Sequence, residues 1–209
     1  MNYILTDKEP KLPLKYFEDI SAIPHGSYNE KAISAFIADT AAKLGLYARV
    51  DERNNVVVKK PATPGYEHLP ALLLQAHVDM VNEKNSDSDH DFTKDGLKLI
   101  LEGNILRADG TTLGADDGKG VAYMLALMDS DSDTFPHPPL EFLFTTGEEV
   151  GFWGAMALDC SDITARRMIG LDAGPEGVVA TTSAGAQEVI FSIPTEYEPV
   201  KGDVLAVSV

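Results

Sequence analysis

Three short, nearly continuous apolar runs constrain the fold most: "ALLLQAHVD" (71–79), "PPLEFLFTT" (138–146) and "RMIGLDAG" (167–174). Each is too apolar for a strand wetted on one face, so each reads as a strand covered on both faces. Between the first two lies "KGVAYMLALMDS" (119–130), an apolar helix. Buried strands alternating with helices predict an α/β fold with a mixed, largely parallel sheet flanked by helices. In such sheets, ligands gather beyond the carboxyl ends of the strands.

The remaining segments fit that plan. "LKYFEDISAI" (14–23) has helical spacing and stops at Pro24. "SYNE" (27–30) has a capping-box pattern, with Ser27 as the cap and Glu30 three residues on. Ala32, Ile33, Phe36, Ile37, Ala41 and Leu44 follow at helical spacing, and Gly45 ends that helix. "LYARVD" (46–51) and "NNVVVKK" (54–60) predict a hairpin. Residues 85–96 form an acidic surface loop, and residues 97–110 two short strands about a Gly-Asn turn. "GFWGAMALD" (151–159) reads as a helix and "QEVIFSIP" (187–194) as a fourth strand.

Charge narrows the function classes. Seventeen Lys and Arg against 33 Asp and Glu give a net charge of −16, which argues against nucleic acid and anionic membrane surfaces as partners. The single cysteine, Cys160, excludes an internal disulfide and a cysteine-built zinc knuckle, and fits a reducing cytoplasm. "MNYILTDKEP" carries no signal-peptide pattern, and no apolar run reaches the ~18 residues of a membrane span.

The polar residues at the strand ends carry the chemistry. His77 and Asp79 share a strand face, an imidazole with a carboxylate placed to orient it, although an ordinary surface hydrogen bond has the same spacing. "GADDGKG" (114–120) wraps glycines around Asp116 and Asp117 before a helix. One aspartate there is an ordinary N-cap; two adjacent carboxylates repel a phosphate and invite a cation. "TTGEEVG" (145–151) sets Glu148 beside Glu149 after a strand, either as a solvated helix start or as a metal ligand with a neighbouring base. Asp172 lies at the end of the third run. One imidazole and several carboxylates, without thiolate, suit Zn, Mn or Co.

At "LLLQAHVDMV", "TLGADDGKGVA", "TTGEEVGFWGA", "GLDAG" and, near the start, "FEDISAIPHGSYNE", the chain resembles the di-zinc aminoacylase/carboxypeptidase-G-like metallopeptidases. Within them it is most similar to the cytosolic aminoacyl-histidine dipeptidases. That resemblance implies the N-terminal part of a di-zinc peptidase catalytic domain over residues 1–182, and the start of a lid or dimerisation domain over 183–209. It implies two Zn2+, with His77 and Asp172 binding one, Glu149 the other, and Asp116 bridging through a cis peptide to Asp117. Asp79 orients His77, and Glu148 is the general base for a metal-activated water attacking a dipeptide amide bond. His25, His68, His90 and His137 match no ligand position of the family.

The departures from the family set further expectations. Members of this branch are roughly twice as long, and no histidine follows His137 here, so a distal ligand and a lid histidine have no counterpart. The chain therefore reads as an incomplete, weakly active or inactive piece of a cytoplasmic homodimeric dipeptidase. An aminoacylase, tripeptidase or carboxypeptidase of the same family, or a metal-binding fragment without turnover, are the alternatives. A phosphate-binding α/β domain conflicts with the charge and lacks a P-loop.

Overall fold

The computed structural model describes residues 3–131, 133–172, 174, 177–183, 185, 189–197, 201, 202 and 205. The chain divides into two compact units, Met1–Pro175 and Glu176–Val209. The first unit contains α1 (Lys11–Ser21), α2 (Lys31–Lys43), β1 (Tyr47–Val50), β2 (Val56–Lys60), β3 (Leu72–His77), β4 (Leu99–Glu102), β5 (Ile105–Ala108), α3 (Ala115–Met128), β6 (Leu140–Thr145), α4 (Trp153–Met156) and β7 (Met168–Gly170). Among its described residues the second unit has neither helix nor strand.

One mixed sheet runs β1-β2-β6-β3-β7, and β4 and β5 pair separately as a hairpin. β1, β2 and β6 pair antiparallel, whereas β6, β3 and β7 run parallel. Strand alternation divides the side chains between the two faces. Val56, Val58, Leu74, Ala76, Phe142 and Phe144 pack with Phe17 and Ile20 of α1, Ile33 and Ile37 of α2, and Val121 and Met124 of α3. Val57, Leu73 and Leu143 turn to the other face, against Leu158, Ile163 and Ala165. Phe142 and Phe144 are fully buried, each contributing roughly 1.5–3 kcal/mol relative to exposure. Buried Lys60 donates from Nζ to the carbonyls of Leu127 (2.9 Å) and Ser130 (2.7 Å), satisfying acceptors left open where α3 ends.

Four sequence expectations shift. α3 begins at Ala115 rather than at residue 119, with non-helical dihedrals at Asp116 and Asp117. The helix expected over 151–159 shrinks to α4, which has four residues. β7 is an exposed edge rather than a covered strand. Among the described residues it pairs with β3 alone, over three residues, leaving Met168 60% and Ile169 48% exposed. Residues 189–194 form no strand, since they have no ladder partner among the described residues; Gln187 and Glu188 lie outside those residues.

Glu141 of β6 anchors the segment that leads into β7. Its buried carboxylate accepts the backbone N–H groups of Thr164 (3.0 Å) and Ala165 (2.9 Å) and the Thr164 hydroxyl (2.7 Å). Burial pushes this carboxyl up, but the donors outweigh burial and hold it below its ordinary value of 4.5. Glu141→Gln is expected to cost roughly 1.5–3 kcal/mol at neutral pH, read from denaturation midpoints. A depressed carboxyl contributes its stability above the unfolded value near 4.5 and loses it as pH falls through the folded value. Wild type and variant are therefore expected to converge in acid.

Candidate metal centre

The parallel register brings the polar strand ends together. His77, the last residue of β3, pairs with Thr145, the last of β6, so the Gly147-Glu148-Glu149 turn leaves the sheet beside it. Gln75 pairs with Gly170, which sets Asp172 level with His77 on the far side. The N-terminus of α3 supplies Asp116, joined to Asp117 by a cis peptide.

Distances define two groups that share one imidazole. Ligand atoms of His77, Asp116 and Asp172 lie within 4.8 Å of one another, as do those of His77, Glu148 and Glu149. His77 Nε2 is 3.0 Å from Asp116 Oδ1 and 3.8 Å from Asp172 Oδ2. His77 Nδ1 lies 2.9 Å from the backbone carbonyl oxygen of Asp79 and 3.5 Å from its Oδ1. A carbonyl oxygen only accepts, so Nδ1 carries the proton and Nε2 faces the carboxylates. Asp79 thus meets the imidazole more closely through its backbone than through its carboxylate.

The Asp79 carboxylate has a second engagement. Oδ1 accepts the backbone N–H of Glu148 (3.0 Å), and Oδ2 accepts that of Glu149 (3.3 Å) and the hydroxyl of Ser27 (2.8 Å). The spacing of "SYNE" pointed to Ser27 as a helix cap. Instead α2 starts after Glu30 with no side-chain cap, and the Ser27 hydroxyl serves Asp79 across 52 positions. Gly147 completes the turn at φ 63°, and a Cβ there would lie 1.6 Å from Trp153 Nε1. Only glycine admits this close approach of the indole. Arg53 lies over the indole at 5.1 Å, and Tyr28 stacks on it at 6.2 Å.

The electrostatics call for positive charge. Burial alone would lower the His77 pKa, but Asp79, Asp116 and Glu148 lift it to about 9. Glu148 and Glu149 are raised above the ordinary carboxylate value, by burial first, with neighbouring acids adding and His77 opposing. Asp172 is raised by burial and by Asp116. Buried Asp117, lifted to about 6 chiefly by desolvation, keeps one oxygen without a hydrogen-bond partner. Acids that repel one another around a single imidazole, half of them open to solvent, are a cation-binding donor set. The side chains of Asp116 and Asp172 remain 69% and 37% exposed, so an ion has access. A cavity of about 360 Å³ adjoins Glu148 and Asp172, lined by Leu143, Phe152, Leu158 and Met168 among others.

The model of Peptidase family M28 matches residues 55–170, more than half of the chain. The chain belongs to peptidase family M28. This M28 chain is 37% identical over 196 residues to the cytosol non-specific dipeptidase of Escherichia coli (strain K12), covering 94% of itself and 40% of that protein. It superposes on the aminoacylhistidine dipeptidase from Vibrio alginolyticus with TM-score 0.79 and 40% identity, over 83% of its own length and 35% of the other. It superposes on a tripeptidase from Staphylococcus aureus with TM-score 0.66 and 27% identity, over 78% and 43%. The M28 chain therefore spans well under half of each of these relatives. Family membership implies a metal, and the residues gathered at His77 fit one. No helix among the described residues is long and apolar enough to cross a membrane.

Proposed function

We propose that these residues form the metal-binding part of a cytoplasmic dipeptidase that hydrolyses Xaa-His type amide bonds. The observation that carries the reading is the pair of ligand groups meeting at His77. Similarity to two dipeptidases supports the substrate class. His77, Asp116 and Asp172 would hold one Zn2+, with Mn2+ or Co2+ as substitutes. Glu149 would hold the second, with Asp116 shared. When bound, such ions lower the pKa of water and polarise the scissile carbonyl.

The chain's own groups then divide the work. The Nδ1–H bond to the Asp79 carbonyl fixes the His77 ring and leaves Nε2 for the ion. A Glu148 carboxylate oxygen takes the proton of the attacking water and passes it to the leaving amine. Its raised proton affinity suits that task, because a base works best with a pKa nearer the operating pH. The remainder of the relatives' length is where we place the lid, a homodimer contact and most substrate contacts.

The complete gene product carrying this sequence is expected to release histidine from beta-alanyl-histidine, to stop on chelation, and to recover with Zn2+, Mn2+ or Co2+. Turnover that survives chelation, or none with any of the three ions, overturns the reading. A tripeptide substrate is the second reading, favoured by the likeness to the S. aureus tripeptidase. Relative kcat/KM on matched dipeptides and tripeptides separates the two.

A further inference from the structure

We infer that Ser27 is a positioning residue for the Glu148–Glu149 turn, acting through the Asp79 carboxylate. The inference deepens the dipeptidase reading and rests on its roles for Glu148 and Glu149. Asp79 is 1% exposed, so its carboxylate depends on donors supplied by the protein. Oδ2 has two: the Ser27 hydroxyl at 2.8 Å and the long Glu149 N–H at 3.3 Å. Without the hydroxyl, one oxygen keeps only the weaker bond. The carboxylate is then held only by the two backbone N–H groups that it should position, the Glu148 N–H at 3.0 Å and the Glu149 N–H at 3.3 Å.

The local chain is built to aim that hydroxyl. Gly26 bridges to Met80 in parallel fashion, and Ser27 N–H donates to the Met80 carbonyl at 3.2 Å, laying the segment along the residue after Asp79. Tyr28 then takes φ 70°, a left-handed conformation uncommon for a bulky side chain, and points out with 75% exposure. Glu30 makes no hydrogen bond to Ser27 among the described residues. It is 2% exposed, and its Oε1 has no hydrogen-bond partner. Burial raises its proton affinity, while the backbone groups of Glu30 and Tyr28, and after them Gly147, favour its charged form. The serine that promises a helix cap is thus directed toward the carboxylate that holds the turn bearing the paired glutamates. A helix cap and a turn clamp are different roles for one serine, and the geometry selects the clamp.

Amide hydrogen exchange on the metal-free 209-residue chain tests this without any need for turnover. Ser27→Ala is expected to speed exchange at the Glu148 and Glu149 amides about ten-fold, the loss of one hydrogen bond to a charged group. The Ser34 amide, which donates to the Glu30 carbonyl at 3.0 Å where α2 begins, should keep its protection. Ser27→Thr, which retains the hydroxyl, should restore slow exchange at both glutamates. Unchanged exchange at Glu148 and Glu149, loss of protection at Ser34 instead, or a threonine variant no better than alanine overturns the inference. In the metal-loaded complete gene product, Ser27→Ala should lower kcat about ten-fold with KM little changed. If the protein hydrolyses no dipeptide but the exchange pattern holds, the dipeptidase reading fails and the positioning role stands.

Discussion

Glu148→Gln is expected to slow dipeptide hydrolysis by the complete gene product about 10²–10⁴-fold while leaving its metal content unchanged. The substitution keeps the shape of the side chain and the backbone N–H that Asp79 holds at 3.0 Å. It removes the proton-accepting carboxylate together with its negative charge, which also acts on His77. The measurement is steady-state kinetics alongside metal analysis of the same sample. Glu148 also stands within ligand distance of His77 and Glu149, so the metal analysis decides its role. A variant that loses both rate and metal would make Glu148 a ligand. A variant with wild-type turnover would remove it from the chemistry. Metal binding in a wild-type protein without turnover would favour a cation-holding role for the whole site.

His77→Ala is expected to lower metal affinity by about 100-fold or more, measured by calorimetric titration of Zn2+ into the 209-residue chain. Removing a group that merely orients a ligand typically costs ~10–100-fold, and His77 sits in both ligand groups itself. Its side chain is 1% exposed, so truncation also strips packing at the end of β3, and a denaturation curve must accompany the titration. Asp116→Asn provides the second arm. That side chain is 69% exposed, so the variant tests the ligand with little loss of packing. His68→Ala, an exposed histidine outside both groups, should leave affinity unchanged.

Much of this site was legible in the sequence because parallel strands convert chain order into spatial order. Three apolar runs that each end in acids or histidine must deliver those ends to one edge once the strands pair in parallel. The register His77↔Thr145 and Gln75↔Gly170 does so. Edges and caps were harder to read. "RMIGLDAG" has the apolarity of a covered strand, yet burial depends on neighbours that its own residues do not encode, and β7 has one among the described residues. Ser27 was misread for a related reason. A serine three residues before a glutamate satisfies the capping pattern, but the competing acceptor, Asp79, lies 52 residues away. Local pattern weighs only local partners, and here a buried carboxylate outcompetes the free amides of a helix end.

The outermost strand has a consequence for how the centre behaves over time. Among the described residues, Asp172 follows a three-residue strand secured by one neighbour, whereas His77 closes a strand paired on both sides. Brief fraying of that rim would carry Asp172 away from His77 while the rest of the fold stays intact. An ion bridging Asp172 to His77 would act as a clasp on the sheet's border. Its departure and the loosening of the border would then be one event, reached well below the temperature at which the molecule melts.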